Sequence, residues 1–332
     1  MRNLFDKSIQ TTLVTGAAGF IGSHLVDTFL DAGFRVIGVD NFSRGVKENL
    51  SAAWQHSRFE FHAIDLSEEA AVLQQLAPQL QGKGITEVWH MAANSNIPAG
   101  VRDPRVDHRD TFMTTFNTLL LMKELAIPAI AFASTSAVYG EHPGQLSEST
   151  GPLLPISNYG AMKLAAEGLI AAAVEAYLDR AFIFRLPNVI GSRLTHGIIY
   201  DLMNKLKRNP RELEVLGDGT QKKPYLHGNE LIDAMLFIWD NAEDRVNLFN
   251  IGPRDEGATV AEITQAVLAG TGSYASVRYT GGDRGWVGDV PRFQYSVEKL
   301  AAMGWRASSS SLEAVHRTVA ELIADAEAAP CR

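Results

Sequence analysis

Tyr159 and Lys163 stand four residues apart in the stretch SNYGAMKLAAEG, which reads as helix, so their side chains share one face about one turn apart. An ammonium beside a phenol favours the phenolate, drawing a pKa of ~10 toward the range where the oxygen can act as a general base. The same spacing also occurs on ordinary amphipathic helices. Two upstream stretches supply a chemical context: GAAGFIG at 16–22, and the hydroxyl-rich strand end STSAVYG at 134–140. In that order they are what a nicotinamide-dependent interconversion of alcohol and ketone needs.

GAAGFIG places Gly16, Gly19 and Gly22 between the strand TTLVT and a following helix. Glycines allow a tight turn and close backbone approach, and free N–H groups at a helix start meet a pyrophosphate. Asp40 closes the next strand, 18 residues beyond Gly22, where a carboxylate accepts hydrogen bonds from an adenosine ribose and repels a 2′-phosphate. NAD is therefore expected over NADP, with Arg44 close enough to weaken the preference. Asp65 after the third strand is placed near the adenine. Met91, Ala92, Ala93 and Asn94 after the fourth are placed near the cofactor's sugars.

The elements that must carry these residues alternate. TTLVTG, FRVIGVD, FEFHAID, EVWHMAA, AIAFAS and FIFRLP are short apolar strand patterns, and helical patterns with three- and four-residue periodicity lie between them. That alternation predicts an α/β fold, a doubly wound, Rossmann-like parallel sheet. Residues 1–187 are expected to form this part, with 225–252 returning to it. Residues 188–224 and 253–332 are expected to form a smaller C-terminal α/β substrate domain. The two longest helical patterns, after Pro104 and from Asn158, fit either packing on the sheet or a dimer-forming face; a homodimer is the expected assembly.

Composition narrows the class. The chain has 332 residues, 46% hydrophobic and 20% charged, with no apolar run long enough to cross a bilayer and no secretory leader, so a cytoplasmic protein without membrane association is expected. A net charge of −8, from 30 basic and 38 acidic residues, argues against a nucleic-acid surface. The single cysteine, Cys331, leaves no internal disulfide and no cysteine-based metal site, and no metal is expected.

The ordered motifs GAAGFIGSHL, VDNFSRG, AIDL, HMAAN, STSAVYG, YGAMK, FRLPNVIG, LGDGTQKKPYLH and GWVGDVP span nearly the whole chain. In them the sequence resembles the extended short-chain dehydrogenase/reductases of the NAD-dependent epimerase/dehydratase family, most closely nucleotide-sugar epimerases of the UDP-glucose 4-epimerase type. The resemblance implies that Tyr159 is the base, that Lys163 tunes it and binds the nicotinamide ribose, and that the catalytic hydroxyl is Thr135, with Ser136 as the neighbouring candidate. It extends the cofactor contacts to Phe20, Ile21, Asn41, Ser43, Leu66 and Pro187. Asn94, Asn188, Lys223, Tyr225 and Arg284 are the implied contacts to a nucleoside-diphosphate sugar, together with Thr135.

The departures from the family pattern are also informative. Dehydratases of the group carry an acidic pair after the catalytic threonine, where this chain has Ser136 and Ala137. Many relatives place a diphosphate-binding arginine where this chain has Trp286, with Arg284 two positions earlier. Thr111 stands where many members have asparagine. The implied activity is inversion of carbon 4 of a nucleotide sugar through a transient 4-keto form. Dehydration, reduction or decarboxylation from that same form is the alternative within enzymes, and a non-catalytic NAD-binding scaffold the alternative outside them.

Overall fold

The computed structural model describes residues 10–282, 284 and 290–328. Trp286 and Cys331 lie outside the described residues. The first half runs β1 (Thr11–Thr15), α1 (Phe20–Asp31), β2 (Arg35–Asp40), β3 (Phe59–Ala63), α2 (Ala77–Leu80), β4 (Ile85–His90), α3 (Ile97–Arg102), α4 (Pro104–Asp107), α5 (Thr114–Glu124), β5 (Ala129–Thr135), α6 (Asn158–Ala176) and β6 (Arg180–Leu186). All six strand patterns of the sequence are strands. The remainder runs β7 (Asn188–Ile190), α7 (Ile198–Arg208), β8 (Glu212–Val215), β9 (Lys222–Lys223), β10 (Tyr225–His227), α8 (Gly228–Asn241), β11 (Val246–Asn250), β12 (Ala258–Thr259), α9 (Val260–Thr271), β13 (Ser276–Tyr279), α10 (Glu298–Ala302) and α11 (Ser311–Ala328).

Backbone contacts divide the chain into two units, one of residues 10–138, 153–185 and 235–249, the other of 139–152, 186–234 and 250–328. The first is built on a seven-stranded sheet in the order β11-β6-β5-β4-β1-β2-β3. Its β1–β2, β1–β4, β2–β3 and β4–β5 pairings are parallel, so the sheet is doubly wound and Rossmann-like.

Alternation along β4 shows how both faces are covered. Val88 packs with Leu13, Ile37, Ile130 and Phe132 under α5 and α6, while Trp89, one residue on, faces the other way. Trp89 lies 5.2 Å from Phe29, 6.3 Å from Phe184 and 5.2 Å from Trp239, ring centre to ring centre. Burying each such side chain stabilises the fold by roughly 1.5–3 kcal/mol.

Two helical patterns are interrupted. The segment after Pro104 reads as one helix, but a π-helical turn at His108–Met113 separates α4 from α5 and carries Thr111. A second, Ala71–Leu76, precedes α2, where Pro78 has no N–H to bond the preceding turn.

In the second unit, β7 pairs with β10 in parallel, β8 with β13 in parallel, and β9 with β12 antiparallel. Segment 139–152 is held there by Asn250. Its side chain accepts from the Tyr139 hydroxyl at 2.7 Å and donates to the Leu146 carbonyl at 3.1 Å.

Candidate active site

The glycine turn has the shape a dinucleotide phosphate needs. Gly16 has φ +65°, and a Cβ there would lie 2.8 Å from the Ala92 nitrogen; a Cβ on Gly22 would lie 2.0 Å from the Gly16 carbonyl oxygen. Gly19 is the N-cap of α1 and has no side chain to cap it, so among the described residues the N-cap position leaves the N–H groups of the first turn, which begins with Phe20, Ile21 and Gly22, without a side-chain cap. Met91 and Ala92 are drawn over this turn by bonds from their N–H groups to the Thr15 carbonyl (3.2 Å) and hydroxyl (3.3 Å). A close-approach backbone cradle at an uncapped helix start fits the pyrophosphate of NAD.

Asp40 is buried at the end of β2. Its Oδ2 accepts the Ala18 N–H at 3.0 Å and its Oδ1 the Phe42 N–H at 2.7 Å, which ties the glycine loop to the strand end. Burial pushes its carboxyl above the usual range, against those backbone bonds. Asp65 is also burdened by burial, yet bonds from Ser67 and Asn41, with Arg109 nearby, leave its carboxyl below the usual range. Asn41 and Ser43 form a short exposed turn, with the Ser43 N–H on the Asn41 side chain, and Arg44 follows half-buried. The Leu66 side chain is in the core, while its carbonyl receives the Asn117 amide at 2.9 Å.

Helix α6 starts under a Ser157 cap, whose hydroxyl accepts the Gly160 N–H at 3.1 Å. It then passes so close to the turn after β5 that a Cβ on Gly160 would lie 2.5 Å from the Ala137 carbonyl. That approach brings the Tyr159 phenol near the Thr135 side chain, whose interaction with it favours the ionised form. Ser136 is half-buried at the head of the short turn Ser136–Tyr139.

The electrostatics differ from the expectation that Lys163 depresses the phenol. Burial pushes the Tyr159 phenol up to about 12, with Thr135 opposing and the Asp107 carboxylate adding to the rise. Lys163 is 2% exposed and burial pulls its ammonium down to about 7, opposed by Glu167. The cause is geometric: Lys163 Nζ donates to the Ala133 carbonyl at 2.5 Å and lies 4.4 Å from the centre of the Phe132 ring. Desolvation thus opposes the charged form of both groups.

Asn94 is not aimed at open space. It is 4% exposed, and its amide donates to Asp107 at 2.7 Å and to the Asn96 carbonyl at 3.1 Å, while its oxygen accepts the Asn96 N–H at 2.9 Å. These bonds shape the loop between β4 and α3.

In the second unit, the Asn188 amide donates to the Pro224 carbonyl at 3.3 Å, across β7 and β10. Pro187 and Lys223 are half-buried and Tyr225 is buried, with its N–H on the Ser311 hydroxyl at 3.1 Å. Arg284 is exposed and ion-paired to Glu141. Gly16, Gly19, Gly22, Asp40, Met91, Ala92, Thr135, Tyr159 and Lys163 all belong to the first unit, and Asn188, Lys223, Tyr225 and Arg284 to the second.

Sequence reasoning missed Asp107, which is fully buried against Gly100 and whose Oδ2 has no hydrogen-bond partner. Its neighbours Asn94 and Gly100 lie within 13 residues of it, but the loop between them has no periodic pattern that would signal the burial. It also missed Glu167, and there a signal existed: Glu167 follows Tyr159 and Lys163 at one further helical turn.

A family model described as the NAD dependent epimerase/dehydratase family matches residues 12–252. A putative UDP-glucose 4-epimerase of Methanocaldococcus jannaschii is 29% identical, aligned over 92% of this chain and 96% of its own. The crystal structure of a UDP-galactose 4-epimerase superposes with a TM-score of 0.83 at 33% identity, covering 95% of this chain and 99% of the other. That of a Thermus thermophilus UDP-glucose 4-epimerase in complex with NAD gives 0.81 at 29% identity, with the same coverage.

Proposed function

This chain belongs to the NAD dependent epimerase/dehydratase family, and from that premise we propose that it inverts carbon 4 of a nucleoside-diphosphate hexose through a transient 4-keto form. It is an NAD-dependent epimerase. The observation that carries the reading is the Tyr159 phenol near Thr135, on the helix that also buries Lys163, in the unit that holds the glycine cradle.

Bound NAD supplies the hydride acceptor and donor. Gly16, Gly19 and Gly22 would hold its pyrophosphate, Asp40 and Asp65 its adenosine end, and Met91, Ala92 and Ala93 would let it lie close to the sheet. Lys163 would take the nicotinamide ribose. Phe20, Ile21, Asn41, Ser43, Arg44, Leu66 and Pro187 complete the proposed set.

The proton chemistry falls to three side chains. With Lys163 protonated, its charge would favour release of the phenol proton to solvent, which leaves a phenolate beside an ammonium. The phenolate then accepts the proton of the sugar 4-hydroxyl while the Thr135 hydroxyl bonds the same oxygen. On the return step the phenol gives that proton back, which keeps the 4-keto form from needing an outside acid. Ser136 and Ala137, where dehydratases of the group carry an acidic pair, leave no carboxylic acid to expel a 6-hydroxyl, and this favours epimerisation over dehydration.

Asn188, Lys223 and Tyr225 are proposed as contacts to the nucleotide sugar. Arg284 would serve its diphosphate after leaving Glu141. A cytoplasmic homodimer completes the proposal; the exposed positions Ala165, Gly168 and Ala172 give α6 a flat outward side that would suit a second copy. Light scattering tests the assembly, and cell fractionation tests the location.

The activity is tested by incubating the protein with UDP-, GDP-, CDP- and dTDP-sugars without added NAD and following products by mass and NMR. A product of equal mass inverted at carbon 4 is expected. Loss of water or carbon dioxide would replace the reading with another use of the 4-keto form, and no turnover of any sugar would favour a scaffold. Tyr159→Phe should lower turnover ~10²–10⁴-fold and leave nucleotide-sugar binding nearly intact.

A further inference from the structure

Three consecutive residues at the end of β5 each engage a different turn of α6. Thr135 lies near the Tyr159 phenol and favours its ionised form, the Ala133 carbonyl takes the Lys163 ammonium at 2.5 Å, and the Ser134 hydroxyl donates to Glu167 Oε1 at 2.5 Å. Glu167 is held from β6 as well. Arg185 Nε donates to Oε1 at 3.0 Å and Nη2 to Oε2 at 2.7 Å, a two-bond fork between side chains that are 8% and 4% exposed. An ion pair this deep is costly to desolvate and is a weak source of stability, so its presence one turn from the lysine needs another reason.

We propose that Glu167, clamped by Ser134 and Arg185, is a positioning residue for the proton-transfer pair: it registers α6 against β5 and supplies the negative charge that keeps the buried Lys163 protonated. This rests on the reading of Tyr159 and Lys163 as the groups that handle the sugar's proton.

The charged neighbours of this cluster can be named from each packed element. On α6 itself Glu167 is the anion that favours the Lys163 ammonium. From β4, His90 faces Lys163 but is buried in the neutral form, its ring nitrogens on Thr15 and Thr115. From the turn after α4, Asp107 acts on Tyr159. From β6, Arg185 is the cation that offsets Glu167. Removing one charge of the Glu167–Arg185 pair therefore leaves the other to act on Lys163 with full strength, and the two removals act in opposite directions.

The test compares wild type with Glu167→Gln, Arg185→Gln and the double variant in the pH dependence of kcat/KM. The urea midpoint is followed over the same pH range, which reads the lysine without substrate or cofactor. In Glu167→Gln the alkaline limb, where the Lys163 proton is lost, should move down by about one pH unit, with about a tenfold loss of kcat/KM on the old limb. In Arg185→Gln it should move up, and the double variant should return toward wild type. Denaturation should agree: stability rises with pH above the folded lysine's pKa, so the rise should begin lower in Glu167→Gln and higher in Arg185→Gln.

Equal damage to both single variants with no movement of the limb, or a double variant worse than either single one, would overturn the proposal. If Glu167→Gln does not fold, the upward movement in Arg185→Gln decides alone. A wild-type protein that turns over no nucleotide sugar would instead sink the functional reading, and that outcome is separate from a fixed limb in an active enzyme.

Discussion

The Tyr159 phenol meets the Thr135 hydroxyl across the line where α6 crosses the end of β5, and Gly160 makes that meeting possible. Its missing Cβ lets the helix backbone approach the Ala137 carbonyl. Thr135 opposes the rise that burial imposes on the phenol and so eases its ionisation.

Thr135→Val keeps the volume and removes the hydroxyl. We expect kcat to fall about tenfold or more, the worth of one aligned hydrogen bond in the transition state, with a smaller change in KM. Steady-state kinetics on the sugar found active in the substrate panel checks this, and an unchanged kcat would deny Thr135 its role.

Asp107→Asn removes the charge that, after burial, holds the phenol proton in place. The phenolate absorbance of Tyr159 should then appear at lower pH by roughly half to one unit. An ultraviolet titration of wild type and variant, with Tyr159→Phe to identify the signal, gives the measurement. A shift to higher pH would mean that the carboxylate acts through the Asn94 loop rather than through its charge.

His90 carries an acid limit on stability. Burial, with a contribution from Lys163, pulls its pKa down to about 3 from the usual 6.5, so the folded protein keeps it neutral while the unfolded chain binds a proton. The stabilisation is complete above 6.5 and is lost as pH falls toward about 3, on the order of 4 kcal/mol in full. Urea midpoints across that window should fall with pH, and His90→Gln should flatten the slope. Parallel slopes for the two proteins would rule the histidine out as the cause.

Gly22→Ala should be severe and Gly168→Ala mild. The first puts a methyl 2.0 Å from the Gly16 carbonyl oxygen, which forces the cofactor turn to move, whereas the second meets nothing within 4 Å on the helix surface. Thermal melts should show a loss of more than about 2 kcal/mol for Gly22→Ala and a gain of up to about 1 kcal/mol for Gly168→Ala. NAD binding, followed by fluorescence titration, should be lost only in Gly22→Ala.

The sequence alone determined the sheet, the glycine turn and the Tyr159–Lys163 spacing, because each depends on short-range periodicity or on residues within a few turns of one another. The apolar runs at β1 to β6 drive burial, and Gly22 accepts a close approach from Gly16 within the same turn, whereas the approach of Ala92 to Gly16 comes from the end of β4. Charge states were a different matter. That Lys163 turns to Ala133, that Asp107 presses on Tyr159 and that Arg185 clamps Glu167 all join segments far apart in the chain, and the direction of each pKa follows from how deeply packing buries them. Asn94 makes the same point: its place beside the cofactor loop was legible, but only the folded loop showed its amide spent on Asp107 and Asn96. Desolvation is a property of the assembled core, so the residue types could name the proton carriers while tertiary packing decided which of them holds the proton.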